Sequence, residues 1–237
     1  MNYVIKNAFV INEGRRFHSD ILVREGRVER LAAIIDTPSS CVEFDARGCF
    51  LIPGMIDDQV HFREPGLTAK GTLASESMAA VAGGITSVME MPNVMPPTTD
   101  MSAVEHKLNL ASERAHCNYA FYLGATESNI EAIKSLDAER VCGVKVFMGA
   151  STGSLLVESS AALEAIFRDS PILIATHCES GPIMDKNKSM RTSPLSIFDH
   201  PRIRNDEACF ASSSYAVSLA KKYDANLDVL HLTTGNA

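Results

Sequence analysis

Six short apolar runs, each followed by a segment of helical composition or a turn, constrain this 237-residue chain more than any other feature. The runs fall at 51–63, 85–91, 118–124, 143–148, 172–177 and 227–232. Between them the composition and cap residues predict helices over 71–82, from Thr99 or Asp100 to about 115, over 128–136, over 157–168 and over 206–223. A long polar loop is expected between the fifth run and the last helix. Strands separated by helices at intervals of roughly 25–55 residues argue for parallel β/α units. Residues 1–50 read differently. The segments 3–11, 20–23 and 27–31 are β-prone, and Asn12-Glu13-Gly14 and Arg24-Glu25-Gly26 punctuate them as hairpin turns. This small β-module is too short to bury a good core alone. The expected organisation is therefore a β-module over 1–50 and a larger domain over 51–237.

Parallel β/α units build either a doubly wound sheet or a (β/α)8 barrel. The polar residues choose between them. Almost every run ends in a side chain capable of chemistry: His61 and Arg63, then Asn93, Lys145, His177 and His231. Sites assembled from many strand ends belong to barrels, whereas a doubly wound sheet uses one crevice, usually with a Gly-rich phosphate turn that is not seen here. The expected fold is thus α/β, a (β/α)8 TIM-type barrel with its first six strands present, behind the N-terminal β-module. A six-stranded barrel would expose two strand edges and an apolar interior, so the chain is expected to be incomplete at its C-terminus.

The first run carries the densest polar set. Asp57, Gln59, His61 and Arg63 alternate, so an extended strand would project them from one face, with Val60 and Phe62 on the other. Glu64-Pro65-Gly66 then makes a rigid turn. A solvated edge strand is the plainer alternative, but an imidazole, an amide and a guanidinium on one strand end are costly to assemble for packing alone. A lone His at a strand end is more often structural than a ligand. Three at equivalent ends (His61, His177, His231) would meet when a barrel closes, and neutral imidazoles are the commonest protein ligands for zinc-like ions. Lys145, centred in GVKVFMG, is expected to be buried and, without a partner, to lose its proton. Pairing with a carboxylate inside the barrel is the equal alternative. His18, His106, His116 and His200 are expected in a turn, a helix, a helix end and a loop, at the surface.

Composition removes several classes of function. A net charge of −7 gives no electrostatic footprint for nucleic acid or an anionic membrane. The six cysteines form no C-x-x-C pair, so neither a zinc knuckle nor a redox motif is indicated, and their apolar settings suit a reducing compartment. No segment has the pattern of a signal peptide, and no apolar run approaches the ~20 residues needed to span a bilayer. A cytoplasmic location is expected.

Taken together, GMID through HFREPG (54–66), MPNVMPP (91–97), GVKVFMGASTG, ATHCES and LHLTTG resemble the dihydroorotase family of the amidohydrolase superfamily, in family order and over nearly the whole chain. The Arg-Glu-Pro-Gly turn favours dihydroorotases over allantoinases, where Asn commonly replaces the Arg, and over hydantoinases, which share the Lys-bearing strand but not the turn. The resemblance implies one or two Zn2+ ions held by His61, His177 and His231, with Lys145 carbamylated as a bridge. It implies that Arg63 and Asn93 grip the carboxylate of a small-molecule substrate, dihydroorotate or N-carbamoyl-L-aspartate. The catalytic residue, an Asp at the end of strand eight, is expected beyond residue 237. Two departures stand out. Gln59 occupies the first position of the family's usual His-x-His pair, and an amide is a weak, uncharged zinc ligand. Strands seven and eight are absent. The alternatives are a non-catalytic dihydroorotase-like partner of aspartate transcarbamoylase, or the same machinery acting on hydantoin or allantoin; self-association is left open.

Overall fold

The first forty residues alternate apolar and polar side chains and turn twice at residue pairs able to take positive φ. In the computed structural model, which describes residues 1–151 and 153–235, they form an antiparallel meander. Its strands are β1 (Tyr3–Asn12), β2 (Arg15–Arg24) and β3 (Arg27–Ala32). Both hairpins turn on a Glu-Gly pair with positive φ at each residue, 49° and 72° at Glu13-Gly14 and 49° and 76° at Glu25-Gly26. That matches the right-handed twist of the flanking strands. Two further strands, β4 (Val42–Asp45) and β5 (Phe50–Leu51), pair with β1 in parallel. Sequence periodicity did not reveal them, because they are short and mostly exposed. The Asp20 carboxylate is buried beneath this sheet, ion-paired with Lys6 and accepting N–H bonds from Asn7 (2.8 Å) and Ile35 (2.9 Å). These elements belong to one compact unit, Met1–Met55.

The second unit, Ile56–Ala237, is organised around six strands lying side by side in chain order. They are β6 (Met55–Val60), β7 (Ile85–Glu90), β8 (Asn118–Gly124), β9 (Gly143–Met148), β10 (Ile174–Cys178) and β11 (Leu227–Val229). Consecutive parallel neighbours joined by helices are the first six units of a (β/α)8 arrangement. The helices are α1 (Leu73–Ala82), α2 (Met101–Arg114), α3 (Ile130–Lys134), α4 (Ser160–Asp169), α5 (Gly181–Ser189), α6 (His200–Ile203) and α7 (Asp206–Tyr223). Local chemistry explains their starts. Thr72, Asp100, Ser159 and Asn205 each accept a backbone N–H from the first turn of α1, α2, α4 and α7, satisfying donors that have no partner within the helix. Leu163, Ile166 and Phe167 of α4 and Ala216 and Leu219 of α7 pack on Leu123, Val144, Val146 and Ile174 as the main core. No helix among the described residues is long and apolar enough to cross a membrane.

Three expectations need correction. The segment after the fifth strand is not one polar loop but contains α5 and α6; neither carries a side-chain N-cap hydrogen bond, so the sequence offers little signal for them. His18 lies within β2 rather than in a turn, stacked 4.8 Å from Phe9, and His200 lies in α6 rather than in a loop. Strands β6 and β11 stop early, at Val60 and Val229, so His61, Arg63 and His231 sit beyond strand ends. Arg63 and His231 adopt positive φ, 71° and 41°. Alternation along one extended strand therefore does not orient His61 and Arg63. Thr152, within the GVKVFMGASTG motif, lies outside the described residues.

Gly149 shows what the strand ends require. Its φ is +97°, and a Cβ there would lie 1.7 Å from the Glu179 carbonyl oxygen. The backbone leaving β9 passes so close to the backbone leaving β10 that only glycine fits. Gly149→Ala is expected to destabilise the fold by at least ~2 kcal/mol. Urea denaturation followed by circular dichroism measures it, and an unchanged midpoint would contradict this packing.

Candidate active site

Strand β9 is buried at every residue, Lys145 included. Hydrophobic runs buried on both faces are expected of parallel strands, but a lysine within one is costly. Lys145 is 1% exposed, and its Nζ has no hydrogen-bond partner among the described residues. Nζ lies 4.8 Å from the centre of the Phe147 ring. Burial pulls its pKa down from 10.5 to about 7, against the attraction of Cys178 and Asp228. Among the described residues no carboxylate pairs with Lys145, so within them the ion-pair alternative finds no partner.

Two histidines meet at the neighbouring strand ends. His177, in β10, places Nδ1 3.1 Å from Nε2 of His231. Its other nitrogen, Nε2, lies 2.7 Å from Oε2 of Glu179. An ionised carboxylate only accepts, so Nε2 carries the proton and a neutral His177 ring turns a lone pair toward His231. Two imidazole nitrogens bound to one tetrahedral zinc at about 2.0–2.1 Å would stand roughly 3.3 Å apart, close to the spacing here. Glu179 is itself held by Arg204, whose Nε donates to Oε1 at 2.7 Å and whose Nη2 contacts Oε2. Burial raises the Glu179 pKa, but hydrogen bonds from His177 and Arg204 overcome this and bring it to about 2. An orienting carboxylate of this kind commonly fixes the tautomer of a ligating imidazole. Sequence reasoning gave Glu179 and Arg204 no role; the sole signal was a carboxylate two residues after the strand-end histidine.

On the far side of the sheet, the segment after β6 is tied to the segment after β7. His61 Nδ1 lies 2.7 Å from Asn93 Oδ1. With the amide so placed, Nδ1 is the donor, Nε2 carries the free lone pair, and the Asn93 NH2 remains available as a donor. Arg63 Nη1 donates to the Asn93 carbonyl at 3.4 Å. Two backbone bonds fasten the same loops, Met91 N–H to Val60 O (2.9 Å) and Met95 N–H to Pro65 O (3.1 Å). Burial lowers the His61 pKa despite the Asn93 hydrogen bond, helped by the charges of Arg63, Lys145 and His231. His231 is lowered by burial and by the charges of His177 and Lys145. His61 and His231 are thus held neutral, the form that binds metal ions. Of the four predicted ligands, His177 and His231 are in direct contact, while His61 follows β6 and Lys145 lies within β9.

The fit to a metal ion is graded. Among the described residues, no three His, Cys, Asp or Glu side chains are gathered as a ready-made metal site. The pair that does meet, His177 with His231, has the spacing for one ion, and the orphaned Lys145 Nζ and the free His61 nitrogen add donors of suitable chemistry. Gln59, half-buried in β6, contributes its backbone N–H to Asp57 Oδ1 at 3.0 Å. A cleft of about 400 Å³ is lined by His177, Glu179, His200, Arg204 and His231. A cavity of about 440 Å³ on the helix side of β9 and β10, lined by Met148, Glu158, Asp185 and Tyr215, holds none of the predicted ligands. The histidine cleft holds two of the four predicted ligands, His177 and His231.

Known proteins resemble this chain in sequence and in fold. The chain is 31% identical to the dihydroorotase of Methanosarcina acetivorans over 97% of its own length and 50% of that protein. It is 35% identical to the allantoinase of Rubrobacter xylanophilus over 81% of its length and 44% of that protein. Among solved structures, the L-hydantoinase (dihydropyrimidinase) of Arthrobacter aurescens superposes with a TM-score of 0.90 at 27% identity, over 97% of this chain and 52% of that one. The chain therefore spans about half the length of the relatives it matches, and its fold is that of the hydantoinase TIM-barrel amidohydrolases. A family model described as Dihydro-orotase-like matches residues 48–190, and with that match the chain belongs to the dihydroorotase-like family.

Proposed function

We propose that this chain serves a metal-dependent hydrolase of cyclic amides, specifically a dihydroorotase. It would open the dihydroorotate ring reversibly to N-carbamoyl-L-aspartate in pyrimidine biosynthesis. The observation that carries the reading is the buried Lys145, whose Nζ has no hydrogen-bond partner among the described residues, on the strand next to His177, which meets His231 at 3.1 Å. One or two zinc ions, held by His61, His177, His231 and Lys145, would polarise the ring amide and acidify a water molecule. The rest falls to the chain's own groups. The neutral Lys145 amine can attack carbon dioxide, forming a C–N bond and releasing a proton, which leaves an anionic carbamate oxygen. Glu179, clamped by Arg204, keeps the proton of His177 on Nε2. Arg63 offers a planar fork to the substrate carboxylate, and the free NH2 of Asn93 adds a third donor. Ring opening also needs a carboxylate to carry the proton to the leaving nitrogen, a role the resemblance assigns to strand eight, outside residues 1–237. A cytoplasmic location suits the free cysteines.

A second reading rests on Gln59. With an amide where the family commonly has a ligand histidine, a dihydroorotase-like subunit that binds without turnover is the alternative, and metal uptake separates the two. Zinc titrated into the chain should bind with an affinity that falls when His177 or His231 is replaced by Ala. The zinc-loaded chain should then bind N-carbamoyl-L-aspartate, and ring opening of dihydroorotate is the matching activity assay. Failure to take up zinc would sink the metal-dependent reading. For Arg63→Ala, the loss of a charge-assisted hydrogen bond of about 1.5–3 kcal/mol predicts binding weaker by roughly 10–100-fold for carboxylated ligands and little change for neutral rings. An equal loss for both would remove Arg63 from carboxylate recognition.

Lys145 gives a pH test. Its folded pKa of about 7 lies below the ordinary 10.5. Between these values the unfolded chain binds more protons, so this group makes stability rise with pH, and its penalty is full at and below pH 7. In metal-free, carbonate-free buffer, Lys145→Met should stabilise the chain by several kcal/mol near pH 7, at ~1.4 kcal/mol per tenfold change in protonation. The gain should shrink as pH approaches 10.5. Chemical denaturation across this range is the measurement, and a gain that ignores pH would contradict a neutralised lysine.

A further inference from the structure

A second lysine is buried as deeply as Lys145, and nothing described so far uses it. Lys107 of α2 and Glu90, the last residue of β7, form an ion pair in which both side chains are 1% exposed. Lys107 Nζ also donates to the Met91 carbonyl at 3.3 Å and lies 4.5 Å above the centre of the Phe121 ring. Such a pair is a poor device for stability, because desolvating two charges offsets most of their attraction, and apolar residues of similar volume often serve as well or better.

Its surroundings supply another purpose. The Glu90 carboxyl oxygens are sealed from solvent, and the N–H of the next residue, Met91, donates to the Val60 carbonyl at 2.9 Å, which seats the end of β7 against the segment leading to Arg63. Burial raises the Glu90 pKa, and Lys107 and the backbone N–H groups of Arg63 and Phe62 oppose that rise. Arg63 is the left-handed residue of that segment, with φ +71°, a conformation that non-glycine residues seldom adopt. Successive N–H groups around a left-handed residue form a concavity that an anion favours, and here the protein provides the anion. The same strand end continues to Asn93, whose side chain orients His61 and whose carbonyl accepts from Arg63. The buried pair thus sits at the end of β7, whose exit carries Asn93 and is tied to the β6 exit that carries Arg63.

We propose that Glu90 and Lys107 are a positioning pair that holds the Arg63 turn in its left-handed conformation and thereby sets the affinity for a ligand's carboxylate. The affinity part rests on the reading of Arg63 given above; the conformational part does not. Glu90 touches no substrate in this scheme and acts through the Phe62–Arg63 backbone. Lys107 holds Glu90 in place and neutralises it from behind.

The test compares Glu90→Gln, Lys107→Met and the double variant, which removes both buried charges together and keeps the volume. Each is measured in the zinc-loaded chain by thermal melting, by amide hydrogen exchange at Phe62 and Arg63, and by titration with N-carbamoyl-L-aspartate and with an uncharged cyclic amide. The double variant guards against simple unfolding and is expected to melt within a few degrees of the parent. In it, exchange at Phe62 and Arg63 should quicken at least ~10-fold, the carboxylated ligand should bind at least ~10-fold more weakly, and the neutral ring should bind as before. Unchanged exchange at both amides, or equal loss for both ligands, would overturn the proposal. Arg63→Ala run in parallel separates the two ideas: if it spares the carboxylated ligand, the carboxylate reading and the affinity claim fail together, and hydrogen exchange alone decides whether the pair holds the turn.

Discussion

An amine in the middle of a strand with no exposed residue is the constraint to which the rest of the second unit answers. Every residue of strand β9 is buried, and helices α4 and α7 cover the face that carries Val144 and Val146. A charged Lys145 in that place would have to find a carboxylate, and no hydrogen-bond partner for Nζ is seen among the described residues. The fold instead removes the charge, bringing the pKa to about 7. A neutral amine of this kind is a nucleophile and a ligand precursor, while a paired ammonium is neither. Nearby, His61 and His231 are held below their ordinary pKa, chiefly by burial, and at Gly149 the backbone leaving β9 passes close to the Glu179 carbonyl.

At the strand ends, two of the candidate ligands, His61 and His177, are each oriented by another side chain. His61 is turned by Asn93 from the next strand's loop, 32 residues away in the chain. His177 is turned by Glu179, which Arg204 holds from 25 residues further on. The turn that carries Arg63 is backed by Glu90 and Lys107. Burial strengthens these contacts and makes each costly to leave unsatisfied. The outer contacts thus limit where the inner imidazoles and guanidinium can point, and such preorganisation is what a binding site requires of its support.

Much of the frame was legible from the chain. The bounds of β8, β9 and α7 agree with the predicted 118–124, 143–148 and 206–223, because strong turn residues or caps flank uninterrupted apolar or helical runs. Short elements without such signals, β4, β5, α5 and α6, were missed. The identities of the strand-end residues were legible as well, since a lysine or histidine closing an apolar run stands out against its cost. Their orientation was not. Alternation assigned His61 and Arg63 to one strand face, yet β6 ends at Val60, and φ of +71° turns Arg63 out of the extended register.

Sequence by itself determined the β/α order, the two-part organisation, the lysine at the centre of β9 and the set of side chains able to do chemistry. Periodicity, caps and turn residues act over a few neighbours and are written locally. Tertiary structure alone decided which nitrogen of His61 and of His177 is free, that Lys145 Nζ has no hydrogen-bond partner among the described residues, and that Glu90 and Lys107 meet in the interior. These depend on distances between groups far apart in the chain and on the solvent each loses when the strands come together. No local pattern of residues encodes either quantity.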